Sequence, residues 1–535
     1  MAVTAGLGRR SPGKVAGAGE RLLGIIPGDW RWELTRLRVV RWAVRERWVT
    51  FGAQLFNLAI FVLILVAGLW GTPVGNRNLA ILFVWILWWS VLMLVLLPLA
   101  GRIWCWMCPL PVLAEWLQRR LRFVTAGAQL LGLQKRWPRR LSNMWLVNGT
   151  FLLVAVLSGI ITTRPLATAA LLLAIIGASV AVSLIYQRRT FCRYLCPVGG
   201  FLGLYSNFAP LEVRSRNFTG VCQPHTPKEC VVGSAQGYGC PWLEAPMTME
   251  RNTYCGLCFE CFRACSKNNM ALRLRPFGVD LLVTSRRGLD EAWKGFIMLG
   301  AAGVYAITYM GPYGWLKDWA NLESPVGFAG YALGFAAFVA VAIPLVHGLF
   351  VWLGSAAAVR LPALSVAEAA GVRATEARSG SAAPPDGPGR AAATGRAASG
   401  QTAAGSGAAS ETTLRQAFLH YAYTLVPLGL AAWIAFSFAI LLPNGSYLVS
   451  VVSDPFGWGW DLFGTAGAPW KPVWTGWLPY LQIPVILMGL GFGLDLAWKT
   501  ARRLYADTRQ AAWSATPVMV WLTAVAVGLL WAFTG

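Results

Sequence analysis

The 535 residues are 56% hydrophobic and only 13% charged, with 28 tryptophans, and apolar runs of about 20 residues recur, as in membrane-spanning helices. The net charge of +23 does not mark a nucleic-acid binder, because the arginines flank apolar runs and form no single basic domain. The first apolar run begins near Thr50 after a long basic segment and lacks a small-residue cleavage pattern, so no cleaved signal peptide is expected.

Residues 1–28 are rich in Gly, Ala and Arg and read as loose. Residues 29–48 (DWRWELTRLRVVRWAVRERW) read as an amphipathic helix on the membrane face, arginines toward anionic headgroups, or as a plain basic flank. Residues 1–49 thus form a basic N-terminal segment.

Apolar spans follow at 50–70, 79–100, 143–163, 167–187, 294–312, 327–353, 415–442, 478–497 and 516–534. Each is long enough to cross the hydrocarbon core at about 1.5 Å per residue. The fold expected is an all-α, multi-pass membrane protein of about nine helices with a cytoplasmic ferredoxin-like insertion. Basic residues alternate with the connections: Arg119, Arg120, Arg122, Lys135, Arg136, Arg139, Arg140, Arg188, Arg189, Lys499, Arg502 and Arg503 follow helices two, four and eight. The loops after helices one, three, five and seven hold only Arg77, Arg164, Lys317 and Lys471. By the positive-inside rule the N-terminus and every cysteine face the cytoplasm and the C-terminus lies outside the cytoplasmic membrane. In a reducing compartment, iron–sulfur ligation is expected over disulfides.

The parts expected are a four-helix membrane region at 50–204, an iron–sulfur domain at 205–290, two helices at 291–356 and three C-terminal helices at 413–535. Residues 357–412, rich in Ala, Gly, Ser and Pro, read as a disordered linker between a cysteine-bearing and a cysteine-free half. The aromatic stretch 443–477 reads as an external interfacial belt.

The densest chemistry is Cys255-x-x-Cys258-x-x-Cys261-x3-Cys265. Three cysteines at every third residue can serve one [4Fe–4S] cluster, whereas zinc sites usually use two well-separated C-x-x-C pairs. Ser266 stands where a proline usually follows the last cysteine. Upstream lie Cys222-x7-Cys230-x9-Cys240-Pro241. Two further pairs end in proline: Gly101-Arg102-Ile103-Trp104-Cys105-Trp106-Met107-Cys108-Pro109, and Arg189-Thr190-Phe191-Cys192-Arg193-Tyr194-Leu195-Cys196-Pro197. They form a weak internal repeat, each following a pair of spans.

These motifs together resemble the membrane polyferredoxins related to NapH and the C-terminal half of NosR. The resemblance covers roughly residues 50–312. It implies electron transfer between the quinone pool, or cytoplasmic donors, and a redox partner. The family's paired motif is C-x-x-x-C-P, which the second pair matches, while the first is one residue shorter.

In two-cluster ferredoxins each three-cysteine run takes its fourth ligand from the distant Cys-Pro. By that logic Cys255, Cys258, Cys261 and Cys240 hold one cluster. Cys265, Cys222 and Cys230 hold another, short of one ligand that Cys192, Cys196 or His225 could supply. Alternatively Cys255, Cys258, Cys261 and Cys265 hold one cluster, leaving the upstream cysteines to a second or to none. The arithmetic favours two. Cys105, Cys108, Cys192 and Cys196 could hold a further cluster, act as a dithiol or donate the missing ligand.

His347 and His420 fall at similar depth on consecutive helices, where a b-haem or quinone could use them, although interfacial histidines at helix ends are commonplace. Arg214, Arg216, Arg251, Arg263, Lys267, Arg273 and Arg275 would attract an acidic soluble carrier such as ferredoxin or flavodoxin, if they are more than positive-inside bias. Buried acidic residues are nearly absent from the spans, which argues against a pump or a charged channel. The function expected is one-electron transfer at the cytoplasmic membrane face. The alternatives are a maturation factor for a metalloenzyme and a redox sensor.

Overall fold

The structure, a computed structural model, describes residues 21–119, 131–285, 287–360 and 413–534. The linker expected at 357–412 lies almost wholly outside them, and the helix before it continues to Arg360.

Among the described residues, seven helices are long and apolar enough to cross a membrane: Arg47–Trp70, Leu79–Gln118, Pro165–Ile185, Pro325–Val359, Leu414–Asn444, Thr475–Leu504 and Thr508–Thr534. An eighth counts if Leu289–Met310 and Gly314–Ala320, bent by 117°, are one broken span. The apolar run at 143–163 instead forms Trp145–Val156 and Ser158–Thr163, broken at Leu157. Neither piece alone covers the bilayer core. Sequence signals mark the starts: Pro165 and Pro325 open their helices, where the missing N–H costs nothing. Thr413 and Gln416 make a capping box for the Leu414 helix.

The first half and the C-terminal helices share one buried core. Trp433 is almost fully buried, with Trp89 and Phe201 at 5.3 Å and Tyr305 at 5.6 Å between ring centroids. Its indole N–H donates to the Met298 carbonyl at 2.9 Å. The cysteine-free half is therefore packed against the cysteine-bearing one.

Between the Pro165 and Leu289 helices lies a small lobe with a sheet. A short hairpin, β1 (Arg21–Leu22) and β2 (Ile26–Pro27), precedes it. The sheet itself runs β3 (Trp32–Glu33), β5 (Met270–Leu274), β4 (Leu211–Ser215), all antiparallel. Trp32 pairs with Leu274 and Leu211 with the same residue on the other side. The expected 29–48 helix is thus shortened to Arg38–Arg45, because the residues before it are drawn into the sheet. Val44 is buried in the lobe's core beside Cys230 and Cys261, while Val39 and Trp42 stay exposed. Arg263 locks the join, donating to the Arg45 carbonyl at 3.0 Å and to the Thr50 hydroxyl at 2.7 Å.

The arginines expected to form a docking face mostly have internal partners. Arg214 lies 3.3 Å from Asp280, Arg216 2.7 Å from Glu33, Arg251 3.0 Å from Glu291 and Arg263 2.8 Å from Glu260. Arg275, fully buried, is held by Glu212 at 3.3 Å and by Asp280. Lys267 stays exposed. These guanidinium groups tie the lobe together, so they make a weak case for a partner surface.

Candidate iron–sulfur centre

Each paired motif is a tight turn. Gly101, at φ +61°, ends the helix before the first pair, a left-handed conformation that suits glycine. Cys105 lies in the short Trp104–Met107 helix, and Cys108 leads through Pro109 into Leu110–Gln118. In the second motif Cys192 lies in Thr190–Tyr194, and Cys196 caps Pro197–Tyr205, its sulfur accepting from the Gly199 N–H at 3.3 Å. A thiol at a helix N-terminus faces unpaired N–H groups, which favour its thiolate. All four thiols are buried and close enough for Cys108 to interact electrostatically with the other three.

The Cys255 run is a loop that turns into the one-turn helix Glu260–Ala264. Leu257 and Phe259 both have positive φ, at 48° and 60°. Such non-glycine residues cost on the order of 1–3 kcal/mol each and gather at functional sites. The Leu257 N–H donates to the Cys255 sulfur and the Glu260 N–H to that of Cys258, an arrangement that favours negative charge there. Gly256 packs flat on the Trp242 indole, where a Cβ would overlap the ring. Cys261 lies in Glu260–Ala264 and Cys265 ends that helix.

Electrostatic neighbours sort the seven lobe cysteines. Cys240 is within electrostatic reach of Cys255 and Cys258 of Cys240, and Cys261 interacts with Cys258, Cys255 and Cys240 and, least of the four, with Cys230. Cys222 and Cys265 neighbour Cys230. Asn269 bridges Cys222 and Cys265, its side-chain nitrogen 3.1 Å from one sulfur and its backbone N–H 3.4 Å from the other. Cys230 lies 3.7 Å from the Met247 sulfur. Three groups result: Cys105, Cys108, Cys192 and Cys196; Cys240, Cys255, Cys258 and Cys261; and the trio Cys222, Cys230 and Cys265. Among the described residues, no three His, Cys, Asp or Glu side chains close on a single point as one metal ion requires. A cubane instead spreads its thiolates over four irons.

Burial pushes these thiols upward, Cys196 and Cys255 to about 11 and Cys230, Cys240 and Cys258 to about 12. Left alone they stay protonated at neutral pH. Iron binding has to displace those protons, and it supplies the positive charge that buried thiolates need.

The histidines stand apart. His225 Nε2 lies 3.3 Å from Glu229 and outside the trio's electrostatic neighbours. His347 is fully buried, flanked by Phe296 at 5.1 Å and Phe418 at 5.2 Å. The His420 carbonyl accepts from Arg287 at 3.1 Å.

The sequence by itself does not single out the buried arginines. Arg189 lies 2.6 Å from Glu115, donates to the Cys105 carbonyl at 3.0 Å, and is within electrostatic reach of both Cys192 and Cys258. Arg102 donates to the Thr253 carbonyl at 2.6 Å and reaches Cys192, Cys196 and Cys255. The available signal was a shared Arg-x-aromatic-Cys step, Arg102 before Cys105 and Arg189 before Cys192. Trp106 meets Phe259 at 5.9 Å, so the paired motifs and the cysteine run abut.

A 4Fe-4S binding domain model matches residues 81–127 and 168–217, the two stretches that carry the paired motifs. The methylamine utilization ferredoxin-type protein MauN of Paracoccus denitrificans is 29% identical over 172 residues, covering 28% of this chain and 56% of MauN. An uncharacterised protein of Methanocaldococcus jannaschii is 26% identical over 200 residues, covering 37% of this chain and 73% of that protein. The chain thus spans little more than half of MauN's length. No solved structure matches. The matched domain, the similarity to a ferredoxin-type protein and the apolar helices together support a membrane-associated, ferredoxin-type 4Fe–4S protein.

Proposed function

We propose that the protein carries electrons one at a time between a cytoplasmic redox partner and the quinone pool. Two four-thiol groups hold [4Fe–4S] clusters, Cys240, Cys255, Cys258 and Cys261 in the lobe and Cys105, Cys108, Cys192 and Cys196 at the bundle. The trio Cys222, Cys230 and Cys265 is an incomplete third site, for which His225 would have to leave Glu229 to become the fourth ligand. When bound, such clusters supply one-electron chemistry; the chain supplies burial, charge and spacing. The carrying observation is that Arg102 and Arg189 each face thiols of both four-thiol groups, which joins the two sites.

In this reading the chain crosses the cytoplasmic membrane nine times. The N-terminus and the lobe are cytoplasmic, and the bent Leu289 helix and the broken 143–163 segment complete the count. An apolar cavity lined by Trp85, Trp88, Trp104, Leu172 and Phe201 borders Cys108 and would take the quinone ring. A second cavity, lined by Arg188, Arg189, Tyr238 and Cys192, gives an acidic soluble carrier an approach to the other paired motif. Haem at His347 and His420 has no further support, since aromatic rings flank His347.

The test is iron and acid-labile sulfide per chain on anaerobically purified protein, with an electron paramagnetic resonance titration. Two cubanes require about eight irons, and about twelve if the trio also fills. About four irons would overturn the two-site reading. Reduction of the clusters by a quinol analogue tests the membrane partner.

A further inference from the structure

Two cations lie buried beside the paired-motif thiols without a carboxylate. Arg102 is 2% exposed and Lys294 1%. Among the described residues neither forms an ion pair. Arg102 gives one hydrogen bond to a neutral carbonyl, lies 4.2 Å over the Trp242 ring, and leaves Nε and Nη2 without partners. Lys294 donates to Asn148 at 3.2 Å. Its acidic neighbours are otherwise engaged, Glu291 with Arg251 at 3.0 Å and Asp290 with the Met144 N–H at 2.7 Å.

The helix that follows Cys196 is shaped to admit both. A Cβ on Gly199 would come 3.3 Å from Arg102 Nη2, and one on Gly203 would come 3.2 Å from Nη1. On Gly200 a Cβ would overlap the Lys294 ammonium. Three glycines in Pro197–Tyr205 thus open slots for two charges at the N-terminal end of a cluster helix. An uncompensated buried charge is expensive, several kcal/mol even after relaxation. Arg189, with Glu115 against it, shows how the same region handles a cation that needs no further partner.

We propose that Arg102 and Lys294 are the built-in counter-charges of the cluster at Cys105, Cys108, Cys192 and Cys196, with Arg102 shared by the lobe cluster next to Cys255. The inference rests on the two-site reading above. A thiolate-ligated cubane is anionic, and one further electron adds one negative charge at a dry site. Positive charge on these two groups stabilises that reduced form and raises the midpoint potential. Arg102 acts on both clusters, Lys294 on one. Both are positioning residues: they hold charge at the clusters and ligate no iron.

The experiment is a potentiometric titration by electron paramagnetic resonance on the full-length, cluster-loaded protein. Cys108→Ser first identifies the paired-motif signal by its loss. Lys294→Met then lowers the midpoint of that signal alone. Arg102→Met lowers that signal and the lobe signal together, and Arg102→Lys recovers part of the shift. Unmoved midpoints in both Met variants overturn the inference while leaving the two clusters in place. An equal shift of every signal in Lys294→Met overturns it too, since a local counter-charge cannot act so evenly. If Cys108→Ser removes no signal, the two-site reading falls and this inference with it. Lys294→Met keeps length and volume, so the test stands even if Arg102→Met fails to fold.

Discussion

Asp280 shows at residue scale how charge holds the lobe. Burial alone would push its carboxyl up, but Arg275 and Arg214 outweigh that and hold it below the usual carboxylate range. A depressed folded-state value means the stabilisation is present above the unfolded value of about 3.9 and is lost as pH falls through the folded one. Thermal loss of cluster absorbance should therefore be flat at neutral pH and shift to lower temperature only below about pH 4. Asp280→Asn leaves the Arg275 charge with Glu212 alone and should cost about 3 kcal/mol, measured by chemical denaturation. Glu33→Gln, at the half-exposed rim pair with Arg216, should cost less than about 1 kcal/mol in the same assay. Gly256→Ala brings a methyl into the Trp242 ring and should strip iron from the lobe while the paired-motif signal survives. Loss of both signals would mean that the two sites assemble as one.

At the scale of elements, legibility followed the range of the information. Apolar runs announce themselves over 20 residues, and among the described residues seven of the nine form helices that are by themselves long and apolar enough to cross a membrane. The break at Leu157 did not show, because a run of apolar letters carries no mark of where packing ends a helix. β3 is two residues long, too short for any periodicity, and its partner lies far along the chain. The Cys255 spacing could be read locally, as could the pairing of Cys240 with it by ferredoxin logic. The convergence of Cys105 and Cys108 with Cys192 and Cys196 is tertiary, and spacing alone left three roles open for them. Arg102 and Lys294 looked like ordinary basic residues, since only burial reveals a charge without a partner. Val44→Asp tests the join between the N-terminal segment and the lobe. A charge beside Cys230 and Cys261 should release Arg38–Arg45, seen as new protease sensitivity there, with the transmembrane helices intact.

For the whole molecule, the continuous core packs the C-terminal helices onto the cysteine-bearing half. Trp433→Ala removes a buried indole from the contact of Trp89, Phe201 and Tyr305 and should cost about 3–5 kcal/mol. A chain split between residues 360 and 413 and expressed as two pieces should copurify through that core. Separation of the pieces would show that the connection, not the packing, holds the halves together.

The same contact sets an order for biogenesis. Phe201 belongs to the helix that begins at Cys196, and Trp433 closes over it from a segment synthesised long afterwards. While the ribosome is still making the last three helices, Trp89 and Phe201 lack that partner. The aromatic contact of Trp89, Phe201, Tyr305 and Trp433 is therefore completed only when the C-terminal helices dock, however early the first half has folded.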